Sequence, residues 1–228
     1  MPARSSVRSP SDRPRISREF IEAHRRRRYV EATAEILHEF GRRGVTATNV
    51  IQLAGGARNS FYEVFGSVED CIAHGIALAD MELFAGLDRL SGEGDWLVEV
   101  HSAIAAFYEA VASQPLLAEL FLIHSASART DAGQEAFRTG GERFAALVAR
   151  GSDEAEERGH PAPPAVLAEG LSRSIVALAA ARVRGPEVEL LRARAGSMTA
   201  LVGGFYLGPE AATEVLGPSG PEPGHPAR

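Results

Sequence analysis

From Arg18 to about residue 206 one pattern recurs. Apolar residues return at intervals of three and four, and no apolar/polar alternation runs long enough to make a strand. A chain with only this 3.6-residue period must bury its apolar stripes helix against helix, so the expected fold class is all-α. The first helix is predicted from Arg18 to Phe40, with Val30, Ala34, Leu37 and Gly41 on one face and Tyr29, Ile36 and Phe40 widening the stripe. "GRRG" at 41–44 ends it. A further helix is predicted from Ser67, a capping residue followed by Glu69 and Asp70, to about Leu90. Trp96 to Ser113 carries Leu97, Val100, Ile104, Phe107, Tyr108 and Val111 at helical spacing, and Pro115 opens the next helix. A helix near 132–157 follows, then the loop "RGHPAPP", then two helices near 164–184 and 186–206 broken at Gly185–Pro186. No internal repeat is visible.

Charge divides the chain unequally. All 24 basic residues are arginine; residues 1–65 hold 12 of them against 7 acidic residues, and residues 66–228 hold 12 against 23. A basic head on an acidic body predicts that only the head meets a polyanion. The head begins with a Pro-, Ser- and Arg-rich arm, residues 1–17, expected to be disordered like the tail over 211–228. One cysteine, Cys71, forbids an intrachain disulfide, and the expected compartment is the cytoplasm. No apolar run approaches the ~18 residues of a membrane span.

Residues 46–65, "TATNVIQLAGGARNSFYEVF", pose a different problem. They hold two helical segments of about two turns each, shorter than ordinary globular helices. Thr46 stands where a cap belongs, and Ala47, Val50, Ile51 and Ala54 give the first segment a small inward face. "AGG" allows a sharp turn. Phe61, Val64 and Phe65 turn inward on the second segment, which leaves Arg58, Asn59, Tyr62 and Glu63 outside. Two short helices tightly joined beneath a longer one make a helix-turn-helix, whose second helix stands proud enough to enter a DNA major groove.

With that motif the sequence resembles the tetracycline-repressor (TetR) family. The resemblance rests on "GVTATNVIQLAGGARNSFYEVFGSVEDCI", 44–72, above all Ala54–Gly55, Phe61–Tyr62, Phe65 and Ser67 with Glu69–Asp70; "FYLGPEAA", 205–212, resembles the end of many such regulators. It implies a dimeric, ligand-responsive transcriptional regulator, usually a repressor, that binds double-stranded DNA at a palindromic operator. The implied division is a helix-turn-helix domain over 18–66 and a helical effector-binding and dimerisation domain over 67–210, whose last two long helices pair as a homodimer. By position, Thr46 would hold a phosphate, Arg58, Asn59 and Ser60 would face bases or nearby phosphates, and the Tyr62 hydroxyl would reach the backbone. Of the run Arg25–Arg28, one or two members, Arg28 among them, would touch phosphate. Three residues depart from the family pattern. Ala57 replaces a serine that caps the reading helix, a cap worth ~1 kcal/mol. Gly56 replaces a small apolar residue, which predicts a looser turn, and Val68 replaces a phosphate-binding lysine.

The small-molecule effector implied by the resemblance would sit in a mainly apolar pocket drawn from Phe84, Leu87, Trp96, Phe107, Tyr108, Phe121, His124, Phe137 and Phe144; the same side chains would equally fill a core. No metal-ligand spacing, cofactor motif or acid/base pairing appears, so no metal, cofactor or catalysis is expected. Two other readings remain: a DNA-binding regulator controlled by a protein partner, and an all-α enzyme or binding module.

Overall fold

The computed structural model describes residues 17–125, 131–208 and 210, and of residues 131–137 the backbone only. Among them are ten α-helices and no strand: α1 (Arg18–Phe40), α2 (Ala47–Leu53), α3 (Arg58–Val64), α4 (Val68–Phe84), α5 (Trp96–Ser113), α6 (Pro115–His124), α7 (Asp131–Ala149), α8 (Gly151–Glu157), α9 (Val166–Arg182) and α10 (Leu191–Leu207). The predicted caps are in place. The Thr46 hydroxyl accepts from the Asn49 amide at 3.2 Å and that of Ser67 from Asp70 at 3.0 Å. Ser17 caps α1 through the Phe20 amide at 3.1 Å; the rest of the expected arm, and the expected tail over 211–228, lie outside the described residues.

α1 packs on α2 and α3 at one side and on α4 and α6 at the other; α4 continues onto α5 and α7. α10 lies along α5, and α9 along α7. One continuous apolar core runs through these contacts, from Tyr29, Phe61 and Phe65 near the short helices to Phe84, Phe107 and Phe144 in the body.

Three boundaries and one burial differ from the sequence expectation. α4 stops at Phe84; a separate 3₁₀ turn, Leu87–Arg89, is drawn onto α7 by Asp88, 3.2 Å from Arg143. The helix expected over 132–157 is broken at Arg150. The Trp96 indole N–H donates to the Leu147 carbonyl at 2.9 Å, the acceptor a continuous helix would offer to Gly151. Gly151 also lies flat against that indole, where an added Cβ would meet Cε2 at 2.9 Å. Residues Pro186–Leu190 form a 3₁₀ turn, so the last long helix starts at Leu191. Phe40, expected on the buried stripe, is 67% exposed, with the Arg42–Gly44 turn beside it.

Candidate functional site

The second short helix is held up by aromatic packing. Phe61 is fully buried, edge-on to Tyr29 at 5.2 Å and 5.7 Å from Phe65. That contact fixes α3 against α1 by its inner face, and leaves Arg58, Asn59, Tyr62 and Glu63 exposed on the other, with Ser60 half-buried. Tyr62 packs its ring edge on Phe61 at 5.3 Å, while the Arg58 guanidinium lies over its face, 5.3 Å from the centroid. Ala57 makes no capping bond, as its side chain dictates.

The turn between α2 and α3 is tight, a correction to the looseness expected of Gly56. Gly55 takes φ +60°, and its amide and that of Gly56 close on Gln52 and Ile51 at 3.1 and 3.0 Å. Tyr29 lies across Gly56 so closely that an added Cβ would meet two ring carbons at 2.9 Å. Glycine is what lets α1 pack here; an alanine would push it away.

The arginine run on α1 is already engaged. Arg25 pairs with Glu63 of α3 at 3.0 Å, Arg26 with Glu22 at 2.7 Å, and Arg27 with Glu31 at 3.0 Å and Glu82 of α4 at 2.5 Å. Arg28 donates to the carbonyls of Ala54 and Gly55, the free acceptors at the end of α2. Arg28 therefore fastens the turn. Glu63, read from sequence as outward-facing, is exposed and also ties α3 to α1.

In the body, Phe84, Phe107, Phe121 and Phe144 form one cluster, with Phe84 at 5.2 Å from Phe107, 5.5 Å from Phe121 and 5.8 Å from Phe144. Tyr108 joins through Phe107 at 5.9 Å and donates its hydroxyl to the Ile175 carbonyl at 3.2 Å; burial pushes its phenol upward. Beside the cluster a cavity of about 620 Å³ opens between α7 and α9. Phe84, Phe121, Leu122 and Val176 form its apolar lining, with Gly141, Ala145, Ala177 and Ala180 leaving it room. Its polar groups are Arg138, paired with Glu142, and Glu169, Ser172 and Arg173 of α9.

Neither a protein-family profile nor any curated protein matches the sequence. Solved structures do match. The TetR-family regulator PfmR of Thermus thermophilus is 19% identical, over 75% of this chain and 97% of that one, with a TM-score of 0.61. The chain has the TetR-family fold. Salmonella enterica GusR is similar at 15% identity, 84% and 98% coverage and TM-score 0.59. Bacillus subtilis FadR, solved in complex with stearoyl-CoA, is similar at 15%, 80% and 98%, and 0.57.

Within this TetR-type fold the predicted pocket residues separate. Phe84 and Phe121 line the cavity; Phe107, Tyr108 and Phe144 stand behind them as core; Leu87 borders a different, shallower groove. Trp96 is not near: it packs on Tyr206 of α10 at 5.1 Å and closes the far end of the body. His124 turns toward Glu119, 3.6 Å away, and burial lowers its pKa. The Phe137 side chain lies outside the described residues. Of the α9 cavity residues, Val176, Ala177 and Ala180 carry no chemistry a sequence can flag and Glu169, Ser172 and Arg173 share their helix face; only the approach of α7 to α9 makes them a wall.

No single described helix is long and apolar enough to cross a membrane, and no described group of His, Cys, Asp or Glu has metal-binding geometry.

Proposed function

We propose that this chain is a homodimeric, sequence-specific DNA-binding transcriptional regulator, a repressor released from a palindromic operator by a small, mainly apolar ligand. The observation that carries the reading is the α3 surface: a helix fixed from within by Phe61 whose outer residues, Arg58, Asn59 and Tyr62, are free to enter a major groove. Residues 18–66 form the DNA-binding domain, with Thr46 and Tyr62 on phosphates and Arg58, Asn59 and Ser60 nearest the bases. Residues 67–210 form the effector-binding and dimerisation domain. The pairing surface is the outer side of α9 and α10, where Leu201 and Phe205 stand 46% and 55% exposed. An apolar effector suits the cavity between α7 and α9, and stearoyl-CoA, the molecule bound to the similarly folded FadR, sets a first class to try. Because α4 touches α1, α6 and α7, a ligand that shifts α7 moves the lever on which α1 rests. Ligand and DNA then oppose each other by reciprocal coupling.

The test is selection of retained sequences from a pool of random duplexes at near-physiological salt, followed by titration of the recovered operator at rising ligand. A palindrome with half-sites one turn apart is expected, ~34–36 Å between centres. Binding without sequence preference overturns the regulator reading. Recovery of an operator whose affinity no apolar ligand changes overturns the effector part alone and favours control by a protein partner.

A further inference from the structure

Of the arginines near the reading helix, most already hold a hydrogen-bonding partner. Arg25 and Arg27 are held by carboxylates, Arg42 by Glu69 at 2.6 Å, and Arg28 by backbone carbonyls. Arg58, the single arginine of α3, is held differently. Among the described residues it makes no hydrogen bond or ion pair, and its guanidinium rests on the face of Tyr62, one helical turn on. A carboxylate partner occupies the N–H fork; an aromatic face attracts the cation through its π-cloud and leaves the fork open at the rim.

The support under it is continuous with the core. Tyr29 packs on Phe61 at 5.2 Å, Phe61 meets the Tyr62 ring at 5.3 Å and 90°, and Tyr62 carries Arg58. Tyr62 is 44% exposed on its outer side, so this stack runs from buried aromatic to solvent-facing cation within three contacts. A long arginine side chain ordinarily loses rotamer entropy when it docks. Here the ring has already restricted it, which lowers the cost of a geometrically demanding contact. In a major groove, the contact that an open, planar, paired N–H fork fits is the O6 and N7 edge of guanine. Asn59 beside it has the amide that fits adenine, but no such support.

We propose that Arg58 reads a guanine in each operator half-site and that Tyr62 is its positioning residue, acting through the ring face and not only through the hydroxyl. This rests on the DNA-binding reading above and makes it specific.

The experiment is the same random-duplex selection with the full chain and with Arg58→Ala, Tyr62→Phe and Tyr62→Leu, each first shown to keep its helical circular dichroism and thermal midpoint. The wild-type chain is expected to enrich a palindrome with a fixed guanine per half-site. Arg58→Ala loses selectivity at that base pair alone and weakens operator binding at least about tenfold per half-site, without changing the salt dependence. Tyr62→Phe keeps the guanine; Tyr62→Leu relaxes it with Arg58 intact. A guanine that persists in Arg58→Ala overturns the proposal and leaves the regulator reading standing. So does a loss that is uniform across sequences with a shallower salt slope, which would make Arg58 a phosphate contact. Guanine selectivity unchanged in Tyr62→Leu overturns the positioning role. If no sequence is enriched by the wild-type chain, both readings fall together.

Discussion

Glutamine at position 119 should weaken the protein by about 1–2 kcal/mol at neutral pH, and the deficit should vanish in acid. Glu119 sits on α6 with its side chain 3% exposed, and it joins two distant elements: His38 of α1 at 2.7 Å and Arg184, just past α9, at 2.8 Å. Burial opposes ionisation of this carboxyl. The hydrogen bonds from His38 and Arg184, with the Arg184 charge, outweigh that and hold it below the ordinary glutamate range. Breaking a buried ion pair from one side costs about 3–5 kcal/mol when it strands a charge away from water. Here the two groups that hydrogen-bond to it are not buried: the side chains of His38 and Arg184 are 41% and 52% exposed, so water takes them over, and the more buried His124 stands 3.6 Å off, beyond hydrogen-bond reach. What Glu119→Gln removes is the charge assistance on two hydrogen bonds, which gives the smaller figure of about 1–2 kcal/mol. The sign with pH follows from the lowered pKa. The charged carboxylate contributes in full above the unfolded value near 4.5, and its contribution is lost as the pH falls through the lower folded value. Urea unfolding of both proteins across a pH series reads this directly. The midpoint gap should be roughly 0.5–1 M at pH 7 for a urea slope of about 2 kcal/mol per M, and should close below pH 4.5. A gap of the same size at pH 7 and in acid would refute the electrostatic account and leave only a shape effect; no gap at pH 7 would refute the coupling of α1 to α6 through this carboxylate.

Gly56→Ala should cost about 1–3 kcal/mol in urea unfolding, because Tyr29 is pinned between Phe61 and Phe65 and cannot swing from the new Cβ; a neutral result would show that α1 can move. Ala57→Ser should stabilise by about 1 kcal/mol, since Ala57 already has the extended φ of −102° and ψ of 150° that a capping hydroxyl needs; an unchanged thermal midpoint counts against it. Cys71, fully buried beside Thr33, has its thiol pushed up to about 11 by burial. At pH 8 it should react with a thiol reagent about 100-fold or more slower than the same residue in urea, and equal rates would show that α4 opens readily.

How far the sequence could be read depends on how local each feature is. Thr46, Ser67 and Pro115 announce helix starts because a cap or a ring acts within one turn of itself. The inward Phe61 and outward Arg58 of α3 follow from spacing alone. The misjudged features are those decided by a residue far along the chain. Gly56 reads as slack until Tyr29, 27 positions earlier, is laid across it, and then it is the reason the turn is tight. The break at Arg150 is made by Trp96, which takes a carbonyl from α7. Arg28, expected on a phosphate, also donates to the carbonyls at the end of α2, a contact that no spacing announces. The cavity is the extreme case. Four of its thirteen lining residues are alanine or glycine, visible in a sequence only as spacing, and its existence depends on how closely α7 approaches α9. The same logic locates where this fold is free to change. The contact of Phe61 with Tyr29 fixes where α3 points, so substitutions there move the whole helix. Arg58 and Asn59 sit on that fixed frame without supporting it. Their identities can change at little cost to the fold, and on the reading proposed above they set which sequence is bound. On the same reading the cavity wall, Ala177 included, sets which effector fits, while α4, packed on α1, α6 and α7, links that wall to the DNA-reading end.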